Sequence, residues 1–152
     1  MPTSILVDSN TGKAVLFKGY AIYVYDYLRF TSENANIVER CTYQTIKNGV
    51  TATATSSYGR ASFYFPVTSG KSYTLSFDSE CVDGYKMLYI SNKLYSQGEG
   101  WSGTYTTMSI ATNGHKTYTF TANSNVLWLG LYITANTSVG TMTITNAELK
   151  EN

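Results

Sequence analysis

From Cys41 to Leu149 apolar and polar residues alternate with a period of two, and turn residues break the run at short intervals. In an extended strand successive side chains point to opposite faces, whereas a helix face needs a period near 3.6. The pattern therefore admits strands and excludes a helical bundle. Ala61, Phe63 and Phe65 share one face of a segment ended by Pro66. Tyr73, Leu75 and Phe77 share a face of the next. Val50, Ala52 and Ala54 alternate with Thr51, Thr53 and Thr55, and Thr141–Leu149 closes the chain in the same way. Asn48-Gly49 and Asn113-Gly114 are strong hairpin signals, because both residue types tolerate positive φ. Val126–Ile133, apolar at Leu127, Trp128, Leu129 and Leu131, reads as a central strand covered on both sides. The one helical candidate is short, Ser32 to Arg40, opened by Thr31-Ser-Glu.

About nine or ten short strands with regular turns predict an all-β fold, an antiparallel β-sandwich or jelly roll. Composition agrees: 14 Tyr, 6 Phe and abundant Thr suit a pleated, half-buried surface. Upstream, Lys13–Phe17 and Ala21–Phe30, joined at Lys18-Gly19, predict an N-terminal β-hairpin arm. On the second segment Ile22, Val24, Leu28 and Phe30 face one way, while Tyr23, Tyr25, Tyr27 and Arg29 face the other. That tyrosine ladder suits a protein interface, since Tyr buries area at little entropy cost, or else lies under another sheet. The expected organisation is an arm over residues 1–36 for docking or oligomerisation, then a sandwich over residues 37–152.

Charge excludes some partners. The net charge is +1 and only 14% of residues are charged, so nothing draws the chain to nucleic acid or an anionic membrane. The longest apolar stretch, Val126 to Ile133, is too short for membrane insertion by a spanning helix. Met1 to Asn10 carry no basic and apolar leader pattern, so synthesis in a cytoplasm is expected.

The parts of an enzyme are missing from the pattern. His115 is the lone histidine and falls beside a turn glycine, without a nucleophile motif. Asp78, Glu80 and Asp83 are clustered acids that a structural calcium could use, or ordinary turn acids. No other cofactor is expected. Cys41 and Cys81 read as buried free thiols, and a disulfide would require an oxidising compartment. For sugar binding the chemistry needs exposed aromatic faces with amides and acids beside them. Tyr95, Trp101 and Tyr105, flanking the glycine-rich loop Gln97-Gly-Glu-Gly-Trp-Ser-Gly103, with Gln97, Glu99 and Asn92, form such a set. A loop Trp can equally plug the end of a core.

Taken together, Asn48–Thr55, Phe65–Phe77, Thr117–Ala122, Leu129–Ile133 and Met142–Leu149 resemble the carbohydrate-binding-module-like, or galactose-binding-like, jelly roll. Such modules recur in tailed-phage structural proteins and in glycoside hydrolases. The resemblance covers roughly residues 37 to 149 and leaves the arm outside. It implies a non-catalytic virion subunit (capsid decoration, fibre or tail-associated) that meets other virion proteins and sister subunits through its arm. Homo-oligomers and contact with host-surface glycans follow from the same reading, with the virion as the location. The alternative is a stand-alone carbohydrate-binding module or lectin, working outside the cell. No motif carries sugar-binding residues over to particular positions.

Overall fold

The computed structural model describes residues 6–7, 14–15, 27–83, 86–92, 104–109, 113–133 and 140–152. Among them there is no helix. Twelve strands are seen: β1 (Leu6–Val7), β2 (Ala14–Val15), β3 (Ala35–Glu39), β4 (Cys41–Ile46), β5 (Gly49–Ala54), β6 (Gly59–Pro66), β7 (Ser72–Val82), β8 (Lys86–Ser91), β9 (Thr104–Ser109), β10 (Gly114–Thr121), β11 (Val126–Ile133) and β12 (Thr141–Glu151). β1 and β2 pair antiparallel with each other. The rest form two five-stranded sheets, ordered β10-β7-β12-β5-β4 and β3-β6-β11-β8-β9, with antiparallel pairing throughout. This is an antiparallel, jelly-roll-like β-sandwich.

The inward set is the one that alternation predicts. Val50, Ala52, Leu75, Phe77, Met142 and Ile144 from one sheet meet Ala61, Phe63, Leu88, Leu127, Leu129, Leu131 and Ile133 from the other, all nearly inaccessible. Burying a Val, Leu, Ile, Phe or Met side chain in this way contributes roughly 1.5–3 kcal/mol. Phe30 is buried with them, edge-on to Phe63 and Phe65 at 5.1 and 5.3 Å. The Leu28 amide donates to the Ala147 carbonyl at 2.7 Å. The sandwich thus takes in chain from before residue 37, because Phe30 fills core volume and Ala35 already pairs with Phe63.

Three local expectations change. Residues 32–34 form a turn, and the chain then enters β3, so Ser32–Arg40 is no helix. Asn34 explains the change: its Oδ1 accepts from the Thr31 amide at 2.9 Å, and its Nδ2 donates to the carbonyls of Arg29 (2.8 Å) and Tyr64 (3.2 Å), holding a turn instead. Residues 27–30 of the predicted second arm strand carry no strand, residues 16–26 lie outside the described residues, and β2 pairs with β1. Asn113-Gly114 does not close a hairpin: β9 pairs with β8 in one sheet and β10 with β7 in the other. The positive φ of Gly114, 127°, serves a crossing between layers.

In β12 the alternation slips. Met142 and Ile144 face inward, but so does Ala147, because a bulge between Thr145 and Glu148 shifts the parity by one. Asn146 supplies the left-handed backbone there, with φ 53°. Beside it, Gly49 lies so close under the Ile144 carbonyl that no side chain fits. The Asn48-Gly49 signal therefore marks both a turn, with Asn48 at φ 59°, and a close approach of β12.

Cys41 and Cys81 are not joined in a disulfide. Cys41 pairs with Ala54 on β4–β5 and Cys81 with Met142 on β7–β12. They stand three strands apart, about 14 Å, beyond the reach of a disulfide. Burial pushes the Cys41 thiol up to about 11. Among the described residues, no helix is long and apolar enough to cross a membrane.

Candidate functional site

The outer face of the sheet β3-β6-β11-β8-β9 is aromatic. In β6 the odd positions Ala61, Phe63 and Phe65 face the core, so Arg60 and Tyr64 face out. The β11 register places Tyr132 beside Arg60 and Trp128 beside Tyr64. On the other flank Ser91 lies beside Trp128, Tyr89 beside Gly130 and Met87 beside Tyr132. The outer side of β11 is thus open in part. Trp128 and Tyr132 are half-buried, so the strand is central but covered on one side only.

Two ring groups stand on this face. Tyr64 and Trp128 lie with centroids 5.0 Å apart and planes tilted by 49°. Tyr64 remains 39% exposed, a high value for a ring. The turn at 31–34 holds it: its amide donates to the Asn34 carbonyl at 3.1 Å, and its hydroxyl donates to the Glu33 carbonyl at 3.4 Å. Four residues along β11, about 13 Å away, Tyr132 stacks on Tyr58 at 6.3 Å and takes Tyr89 edge-on at 5.8 Å. The guanidinium of Arg60 sits 5.0 Å from the Tyr132 ring centre. Between the two groups β11 carries Gly130, which has no side chain to stand above the sheet.

Local backbone sets the second group. Tyr58 has φ 62°, a left-handed conformation that closes the turn before β6. Arg40 braces that turn, its Nε and Nη2 donating to the Tyr58 carbonyl at 3.4 and 3.3 Å. Gly59 is required: a Cβ there would lie 2.5 Å from the Arg40 carbonyl oxygen and 2.9 Å from the Ala54 Cβ. At the other end Asn92 follows β8. Its Nδ2 donates to Asn123 Oδ1, and its carbonyl accepts from Ser124 Oγ at 3.2 Å.

Of the residues expected to bind sugar, Tyr95, Gln97, Glu99 and Trp101 lie outside the described residues. Tyr105 falls on β9, in the same sheet as the aromatic face. In sequence the others follow Asn92, which is one residue past the partner of Trp128. Tyr23 and Tyr25 lie outside the described residues too. Tyr27 and Arg29 are half-buried and partnered, in the segment that leads Phe30 into the core.

Asp78 and Glu80 share the outer side of β7, and Asp83 follows the strand with φ 56°. They do not converge: among the described residues no group of three His, Cys, Asp or Glu side chains could hold a metal ion. Instead Asp78 Oδ1 bonds His115 Nδ1 at 2.8 Å, and Asp78 Oδ2 accepts from Asn146 Nδ2 at 3.0 Å. The hydrogen bond from His115, then that from Asn146, holds the Asp78 carboxyl below its ordinary value. The trio fastens the β12 bulge to β7 and β10.

No protein-family model and no curated protein sequence matches the chain. Solved structures do. A CBM4 carbohydrate-binding module is similar with a TM-score of 0.58 at 11% identity, over 79% of this chain and 96% of that one. The N-terminal cellulose-binding domain of Cellulomonas fimi β-1,4-glucanase C is similar with a TM-score of 0.53 at 11% identity, over 80% of this chain and 91% of that domain. The enzymatically active domain of tailspike protein 4 from bacteriophage CBA120 gives a TM-score of 0.53 at 12% identity, over 78% of this chain but only 19% of that one. At such identities the likeness shows the fold: a carbohydrate-binding-module-like β-sandwich.

Proposed function

We propose that the protein is a non-catalytic glycan-binding module, and that the aromatic outer face of β6, β11 and β8 is its binding surface. The observation that carries this reading is the Tyr64–Trp128 pair, with Tyr64 exposed and braced by the turn at 31–34 and Trp128 half-buried beside it. Aromatic faces stack on the apolar CH side of a pyranose, while neighbouring amides and carboxylates take its hydroxyls. Asn92, Arg60 and Glu39 supply those groups at the edges of the face. The sandwich resemblance to carbohydrate-binding modules supports this reading over a purely structural one.

A second reading rests on the tailspike likeness. In it the module is part of a phage virion, docked by its N-terminal arm to virion proteins or sister subunits, with the aromatic face turned to host-surface glycans. Arrays of such subunits would raise weak sugar contacts by avidity.

The test is affinity electrophoresis of the pure protein through gels containing neutral polysaccharides, with Trp128→Ala as control. Retardation of the wild type, lost in the variant, is the expected result. Equal retardation of both would remove this face from the site. The virion reading is checked by looking for the chain in purified particles.

A further inference from the structure

Among the described residues the aromatic face carries one charged pair, and it sits at the Tyr132 end. Glu39 on β3 is the register partner of Arg60 on β6, and Arg60 is the partner of Tyr132, so all three share the outer face. Arg60 Nε lies 3.9 Å from Glu39 Oε2, with the two side chains only 13% and 21% exposed. The guanidinium is fixed against the Tyr132 ring. Arg40, also nearby, donates to the Tyr58 carbonyl.

Resting on the glycan-binding reading, we infer that Glu39 accepts hydrogen bonds from sugar hydroxyls and, with Arg60 holding it in place, makes the surface select uncharged glycans over anionic ones. A carboxylate has two oxygens and about four lone-pair sites, and one long contact to Nε leaves acceptor capacity for a pair of adjacent hydroxyls. Hydrogen bonds to an ionised acceptor are the strong ones. A sugar carboxylate or sulfate arriving at the same place meets like charge in a half-buried setting, where screening is weak. It also finds the guanidinium already paired. Arg60 is thus a positioning residue: it keeps Glu39 aimed at the face.

The inference is tested with backbone-matched polymers: hydroxyethylcellulose against carboxymethylcellulose, and agarose against carrageenan, in affinity electrophoresis. The wild type is expected to be retarded by an uncharged member and at least about tenfold less by its anionic counterpart. Glu39→Gln, near isosteric, should weaken the neutral interaction by roughly tenfold and narrow the discrimination. Arg60→Lys should retain the charge preference, whereas Arg60→Ala should reduce it. A wild type retarded equally by both members of a pair overturns the selectivity while leaving glycan binding standing, as does a Glu39→Gln protein that melts normally and discriminates as before. A wild type that no polymer retards sinks the glycan-binding reading and this inference together.

Discussion

The two outer faces of the sandwich share a scaffold and a strand geometry but not a chemistry. One presents Tyr64, Trp128, Tyr132, Tyr58 and Tyr89. The other, over β10-β7-β12-β5-β4, presents threonines. On that face Thr143 lies beside Thr51, Thr117 beside Ser76, and Thr119 beside Thr74. Its hydroxyls bond each other, Thr51 to Thr143 at 3.0 Å and Thr74 to Thr119 at 3.1 Å, and Thr74 reaches the Asn152 side chain at 2.8 Å. Such ladders stabilise a solvated sheet and satisfy themselves. The aromatic face leaves a ring surface that water covers poorly. The difference fits the proposed binding role of one face and leaves the other to hold the sheet.

The largest expected effect treats both faces alike. Phe63→Ala removes a ring that touches Phe30 and Tyr43 at the centre of the core. It should cost about 3–5 kcal/mol, seen as a large fall in the denaturation midpoint. A loss below about 1 kcal/mol would mean that the core is not packed as described. Trp128→Ala separates the faces. It should reduce glycan affinity by about 2 kcal/mol, roughly thirtyfold, with a much smaller change in stability, because Trp128 packs mainly against Tyr64. If Thr51→Val with Thr143→Val reduced affinity as much, the division of labour between the faces would fail.

How far the sequence foretells this division depends on the strand. In β6 the inward set Ala61, Phe63, Phe65 is plain, and its complement, Tyr64, could have pointed to the site. In β11 the signal is hidden. Trp128 and Tyr132 fill the outward positions of a strand whose inward ones are Leu and Ile, so the whole stretch reads as apolar and covered. A ring offered to a ligand and a ring packed in a core look the same in a one-dimensional pattern. The glycine-rich loop drew attention to Trp101 for the opposite reason, since loops advertise their polarity. Sheet membership was illegible at Asn113-Gly114, because positive φ serves a crossing as well as a hairpin. The bulge at Asn146 and the turn at Asn34 had a local signal only in Asn itself, whose side chain competes for backbone partners.

Gly59→Ala sharpens the comparison within the aromatic face. The added methyl would press on the Arg40 carbonyl and Ala54, so the turn must shift and carry Tyr58 off Tyr132. We expect a destabilisation of about 1–3 kcal/mol together with weaker binding at the Tyr132 end. Tyr64 and Trp128, on the far side of Gly130, should keep their near-ultraviolet dichroism. Uniform loss of that signal would mean that the two ring groups are not independent.

The smallest effect belongs to the hydroxyl face. Asp78 is tied to His115 and Asn146, and its carboxyl is held below the ordinary value. A carboxyl whose folded pKa lies below its unfolded one favours the folded state above the unfolded value, about 3.9. That contribution is lost as pH falls through the folded value. Because His115 and Asp78 are 63% and 44% exposed, solvent screens the pair and the gain stays within about 1 kcal/mol. Asp78→Asn should therefore lower the melting midpoint slightly at neutral pH and leave it unchanged near pH 2, measured by thermal denaturation across pH. The same substitution should not alter glycan affinity, since the trio faces away from the aromatic sheet. A binding defect in Asp78→Asn would show that the bulge it fastens communicates across the core to Trp128.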